Sequence, residues 1–121
     1  MALILVVEDD EANQELVTRF LRRNGYLVLQ ARDGLTGVLT AQQSKPDMIL
    51  MDLGLPKLDG WEASQRIRSN PETAHIPIIA LTAHSLTEDV DKAVECGIDA
   101  YETKPLVYQR LMKKIASFLQ E

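Results

Sequence analysis

The chain of 121 residues suits one domain with a genuine core but not two. Its 45% apolar and 26% charged residues are ordinary for a globular protein, and its net charge of −5 argues against a nucleic-acid binder, which shows a basic face. A single cysteine, Cys96, excludes an internal disulfide and fits a reducing compartment, and no apolar run approaches the ~20 residues of a membrane helix. Leu3–Val7 is a short, continuous apolar run that runs into Glu8-Asp9-Asp10-Glu11. It reads as a strand covered on both faces, not as a signal peptide. Residues 12–23 carry Leu16, Val17, Phe20 and Leu21 at helical spacing, with Gly25 as the stop. Tyr26–Ala31 is the second strand. Gly34–Gln43 is a helix that Gly37 weakens by ~1 kcal/mol against alanine. Met48–Met51 is a third, buried strand ending at Asp52. Trp61–Ser69 is a helix entered through the Asp59-Gly60 turn and broken at Asn70-Pro71. Ile76–Leu81 is a fourth strand, with Pro77 near its start. Residues 86–95 form a helix with Val90, Ala93 and Val94 on one side, closed by Gly97. Ile98–Tyr101 is a fifth strand, and Tyr108–Leu119 a last helix with Leu111, Met112, Ile115 and Leu119 inward.

Five strands alternating with five helices predict an α/β fold: one parallel sheet, doubly wound, with helices on both faces. No repeat or linker divides residues 1–121, so one domain without an output domain is expected.

Ligands of an open parallel sheet bind beyond the carboxyl ends of its strands. Those ends carry Glu8, Asp9 and Asp10 after the first strand and Asp52 after the third. Thr82 follows the fourth, and Lys104-Pro105 follows the fifth. Each residue alone has an ordinary explanation: Asp9 or Asp10 caps a helix, Thr82 caps another, and Lys104 is a solvated charge. Those explanations do not account for carboxylate, hydroxyl and ammonium meeting at one sheet edge. Clustered carboxylates raise one another's pKa unless a cation neutralises them, and Mg²⁺, which needs few carboxylates, suits the set. Such equipment fits phosphoryl transfer, in which positioning and charge neutralisation dominate. No nucleotide-binding P-loop is present, so the nucleophile is a carboxylate rather than a group acting on bound ATP.

The segments LILVVEDD, ILMDLGLPKLDG, PIIALTA and AYETKP, in this order, resemble the receiver domain of two-component response regulators, chemotaxis-regulator-like members included. The resemblance covers essentially the whole chain. It implies a flavodoxin-like (β/α)5 fold with strand order 2-1-3-4-5. It implies that Asp52 accepts a phosphoryl group and that Glu8, Asp9, Asp52 and the Gly54 carbonyl hold Mg²⁺. Thr82 and Lys104 then contact the phosphoryl group, Thr82 and Tyr101 form the switch, and Lys104–Pro105 is a cis peptide. The implied donor is a histidine kinase or a histidine phosphotransfer protein. The implied recipient is a downstream target protein, in the cytoplasm, with neither nucleic acid nor membrane involved. The protein is then a monomer, or a weak dimer through helix four, strand five and helix five. Gly54 and His84 occupy positions that tune dephosphorylation in this family.

The competing reading is a Mg²⁺-dependent phosphohydrolase with an Asp nucleophile. That class carries a second Asp two residues on, where this chain has Gly54, and encloses its substrate under a cap. A receiver that binds partners without phosphorylation would not need Glu8, Asp9, Asp52, Thr82 and Lys104 together. Neither His75 nor His84 is paired with a nucleophile, Trp61 reads as a packing residue, and Cys96 reads as a small apolar residue before the Gly97 cap.

Overall fold

A computed structural model describes residues 1–120. The elements run β1 (Leu3–Val7), α1 (Glu11–Arg23), β2 (Leu27–Ala31), α2 (Gly34–Ser44) and β3 (Met48–Asp52). They continue as α3 (Gly60–Ser69), β4 (Ile78–Thr82), α4 (Val90–Cys96), β5 (Ala100–Thr103) and α5 (Tyr108–Leu119). The strands form one parallel sheet in the order β2-β1-β3-β4-β5, the order the resemblance implies.

Strand side chains alternate between two faces. Leu5, Val7, Ile49, Met51 and Ile78 meet Val38, Ala41, Ala63 and Ile67 of α2 and α3. Ile4, Val6, Met48, Leu50 and Leu81 meet Val17, Leu21, Leu111 and Ile115 of α1 and α5. Both faces are covered, which is why the central strands are apolar at every position rather than at every other one. Gly37 has a packing reason: a Cβ there would lie 3.0 Å from both Val7 methyl groups, so glycine lets α2 settle against β1. Asp10, Asp33 and Asp59 each cap the helix that follows, accepting from the backbone N–H of Asn13, Thr36 and Glu62.

Four sequence expectations are corrected. In α1 the inward stripe is Gln14, Val17, Thr18 and Leu21, while Leu16 is 52% exposed. Two polar residues, Gln14 and Thr18, complete the buried stripe with Val17 and Leu21. α4 starts at Val90, and Val90 and Val94 point outward, 55% and 70% exposed. Leu86 lies before α4 and is buried against Leu53 and Ala80. β4 starts at Ile78 rather than Ile76, because Pro77 has no N–H to offer the ladder, although its carbonyl accepts from Ile49. β5 starts at Ala100 rather than Ile98. Ile98 N–H donates back to Ala93 to finish the α4 cap, and the Asp99 carboxylate is held by Arg68 and by the Ile78 N–H, both at 2.8 Å.

β5 extends through Glu102, a buried acid on the edge strand. Arg110 Nε donates to it at 2.7 Å, and Lys114 Nζ donates both to Glu102 and to the Tyr101 carbonyl. The two basic residues fasten α5 to the sheet edge. Burial works against the charge of Glu102, but the bonds from Lys114 and Arg110 outweigh it and hold its pKa below the ordinary carboxylate value. A carboxyl depressed in the folded state stabilises above its unfolded pKa, and that contribution is lost as pH falls through the folded one. Glu102→Gln is therefore expected to cost about 1–2 kcal/mol at neutral pH. In urea unfolding the gap between wild type and variant should close as pH is lowered below about 4.5.

Candidate functional site

β1, β3, β4 and β5 all end at the same edge of the sheet, and their last or following residues define a cleft there. Asp52 is the final residue of β3 and Thr82 of β4. Glu8 and Asp9 follow β1, and Lys104 follows β5. Glu8 leaves the sheet under control, because its N–H still donates to the Ala31 carbonyl of β2 at 3.0 Å.

Carboxylate oxygens of Glu8, Asp9 and Asp52 lie within 4.8 Å of one another. Glu8 and Asp52 are buried and Asp9 is exposed at the mouth. Lys104 Nζ sits between the buried pair, donating to Glu8 Oε1 at 2.8 Å and standing 3.3 Å from Asp52 Oδ2. The remaining carboxylate oxygens are also partnered. Glu8 Oε2 accepts from the Asp10 N–H at 3.2 Å, and Asp52 Oδ1 accepts from the Gly54 N–H at 3.1 Å.

One ammonium does not neutralise three carboxylates. Burial, then the hydrogen bond shared with Asp52, pushes Glu8 up to about 7, against the pull of Lys104 and the Asp10 N–H. Burial also acts against the Asp52 charge, but Glu8, the Gly54 N–H and Lys104 together outweigh it and hold Asp52 below the ordinary value. Lys104 is raised, since its bonds to Glu8 and Asp52 exceed its own desolvation. Asp52 is therefore the carboxylate kept ionised, and Glu8 carries the proton that the missing positive charge would displace. A hard divalent cation with oxygen ligands fits this donor set in charge and chemistry.

Thr82 is buried at the end of β4, and its Oγ1 accepts from the His84 N–H at 3.2 Å. Asp52, Gly54, Trp61, Thr82, His84 and Lys104 line one cleft of about 360 Å³. Trp61 forms part of the wall, with Lys92 Nζ 4.4 Å from its ring centroid. Tyr101 does not line this cleft; it is half-buried, and its hydroxyl meets Ser85 Oγ at 3.2 Å. The Lys104–Pro105 peptide bond is cis. Thus the structure gathers Glu8, Asp9, Asp52, Thr82 and Lys104, with Gly54 beside them, and leaves Tyr101 on the neighbouring surface. Sequence reasoning passes over Gln14, buried beneath the acidic turn. Its signal was the polar pair Gln14 and Thr18 on the stripe of Val17 and Leu21.

The loop behind Asp52 folds back tightly because of Gly60. A Cβ at Gly60 would lie 2.2 Å from the Asp52 carbonyl oxygen, and the Gly60 N–H closes the loop onto Leu53 at 3.2 Å. Gly54 is different: a Cβ there would meet only Asp52 Oδ1, at 3.9 Å. Its missing side chain leaves room above the carboxylate rather than relieving a clash. Gly60→Ala is expected to lose about 1–3 kcal/mol in urea unfolding. Gly54→Ala should stay within about 0.5 kcal/mol of wild type.

Comparisons with known proteins agree with this architecture. Residues 4–116 match the family model of the response regulator receiver domain. The polar-differentiation response regulator DivK of Brucella anthropi is 34% identical over 116 residues, which is 96% of this chain and 94% of DivK. The DNA-binding dual master transcriptional regulator RpaA of Synechocystis sp. is 39% identical over 99% of this chain, which spans half of RpaA's length. Among solved structures, the receiver domain of the sensor histidine kinase PA1611 from Pseudomonas aeruginosa has a magnesium ion coordinated in its active site cleft. It superposes with a TM-score of 0.91 at 36% identity, covering 99% of this chain and 98% of that one. The chemotaxis response regulator CheY4 of Vibrio cholerae superposes with a TM-score of 0.92 at 27% identity, covering 98% of both chains.

Proposed function

The chain belongs to the response regulator receiver domain family of two-component signalling, and on that premise we propose that Asp52 accepts a phosphoryl group from a partner's phosphohistidine. The observation that carries this reading is the Asp52 carboxylate. It is buried at a strand end yet held ionised, one oxygen on the Gly54 N–H and the other facing Lys104. The donor is a histidine kinase or a histidine phosphotransfer protein. An Asp52 oxygen attacks phosphorus, the P–N bond breaks, and its electron pair returns to the imidazole nitrogen. Glu8, Asp9, Asp52 and the Gly54 carbonyl would hold Mg²⁺, which when bound offsets the charge of the carboxylates and of the phosphoryl oxygens.

Lys104 is already placed between Glu8 and Asp52, so its ammonium is ready for a phosphoryl oxygen without a change of side. Thr82 uses a lone pair to accept from His84, which leaves its own proton to donate to the same group. The switch is a population shift in which Thr82 closes on the phosphoryl group and Tyr101 leaves Ser85 to turn inward. The partner-binding surface is α4, β5 and α5, where Val90, Val94 and Val107 are exposed. A downstream target binds there, or a second copy forms a weak dimer. Residues 1–121 act as one receiver domain, in the cytoplasm, and no described helix is long and apolar enough to cross a membrane. The covalent chemistry is confined to the protein's own carboxylate: water entering above Gly54 hydrolyses the acyl phosphate. A general phosphohydrolase is not favoured, because Gly54 supplies no acid or base.

Two measurements test this function. With phosphoramidate and Mg²⁺, intact mass should show one added phosphoryl group, absent in Asp52→Asn. Labelling of the Asn variant at the wild-type level sinks the assignment. Mg²⁺ binding, read from Trp61 fluorescence in the cleft wall, must displace the proton that Glu8 holds up to about 7. Affinity is expected to fall about tenfold per pH unit below that value and to level off above it. A flat profile through neutral pH counts against Glu8 as a ligand.

A further inference from the structure

Gln14 is fully buried on the inner face of α1, with every polar atom engaged. Its Nε2 donates to the Val6 carbonyl at 3.0 Å and to the Ala31 carbonyl at 3.2 Å, and it stands 3.5 Å from the Glu8 carbonyl. Its Oε1 accepts from Thr18 Oγ1 at 3.1 Å, and Thr18 Oγ1 in turn accepts from Gln30 Nε2 at 2.9 Å. Three carbonyls on one side and a hydroxyl on the other leave only this orientation of the amide. The carbonyls are those of Val6 in β1, of Glu8 just after it and of Ala31 at the end of β2. Ala31 O also accepts from the Glu8 N–H. Gln14 thus ties the ends of β1 and β2 to α1 directly beneath the turn, and losing its donors would cost those bonds.

We propose that Gln14 is a positioning residue for the acidic pocket. Its amide fixes the backbone turn from which Glu8 and Asp9 project, and Thr18 and Gln30 fix the amide. The role rests on the reading of Glu8 and Asp9 as cation ligands. Groups behind metal ligands set ligand geometry, and their loss typically weakens metal binding by about 10–100-fold.

The test is Mg²⁺ affinity of the folded chain, read from Trp61 fluorescence, beside thermal stability without metal. Gln14→Met keeps the volume and removes the donors, and should bind Mg²⁺ about tenfold more weakly. Leu21→Val, on the same inner stripe of α1 but away from the pocket, should lower the melting temperature and leave Mg²⁺ affinity at the wild-type value. If Gln14→Met does not fold, Thr18→Val decides, since it frees the amide to rotate. A loss of at least about twofold supports the role. Wild-type affinity in Gln14→Met, or in Thr18→Val where that variant decides, overturns it. Absence of Mg²⁺ binding by the unmodified chain overturns the pocket reading and this role with it, whereas a normal wild-type titration with unchanged variants overturns only Gln14.

Discussion

A single ammonium group between two buried carboxylates governs the arrangement of this molecule. Lys104 reaches Glu8 and Asp52 at once, and with Asp9 beside them the positive charge falls short. The shortfall is expressed unequally. Glu8, the Gly54 N–H and Lys104 together hold Asp52 below the ordinary carboxylate value, while burial and its bond with Asp52 push Glu8 up to about 7 although Lys104 lies closer to it. An acceptor for a phosphoryl group has to be ionised and at the same time sheltered from solvent, two requirements that oppose each other. The pocket reconciles them by loading the cost of burial onto Glu8, the residue that a cation would later discharge.

The sheet supplies the geometry for that division. Burial on both faces makes β1, β3 and β4 apolar along their length, so that the first polar residue of each chain segment appears where the strand leaves the core. Side chains from four strands then meet without any loop having to reach across. Close approaches hold the frame: Gly37 against Val7 brings α2 onto the sheet, and Gly60 against the Asp52 carbonyl turns the following loop sharply back. At Gly54 room is kept instead, beside the Asp52 carboxylate. Glycine therefore serves two opposite purposes in the space of seven residues, crowding at one and openness at the other.

What the sequence made legible follows the same physics. Continuous apolar runs announce strands covered on both faces, and the carboxylates at their ends announce the edge where chemistry collects. Asp52, Glu8, Asp9 and Lys104 stood out together, because the capping and surface roles open to each alone do not account for carboxylates and an ammonium converging on one sheet edge. The failures came where a polar residue does the work of an apolar one. Gln14 and Thr18 occupy the inner stripe of α1 because Gln14 bonds the Val6 and Ala31 carbonyls and Thr18 bonds Gln14, contacts that periodicity in hydropathy does not register. Glu102 extends β5 because Arg110 and Lys114 neutralise it from α5, a pairing visible only in three dimensions. In α4 the apolar side is divided: Ala93 packs against the small cluster, while Val90 and Val94 are exposed.

The proposed partner surface and the pocket are joined through unevenly fastened parts. β5 is anchored on its outer side by Glu102, and its end delivers Lys104 to the carboxylates, so it is a fixed element. The segment between β4 and α4 is held differently. α4 has seven residues, its Asp89 N-cap makes no side-chain bond, and two of its valines face solvent. Its ties to the rest include Leu86 and Ala93 in a small cluster, Lys92 over the Trp61 ring, Arg68 on the Gly97 carbonyl and the contact of Ser85 with the Tyr101 hydroxyl. Elements with few buried contacts are the ones that move at little cost. In the proposed switch, Thr82 lies at the boundary, the last residue of a fixed strand and the first of the loosely held segment. Its hydroxyl is bonded to His84 within that segment, so a phosphoryl group that recruits Thr82 has to take this bond from the loop. The differential energy that a two-state shift requires then arises at Thr82, and the weak contact at Ser85 is where the rest of the surface yields.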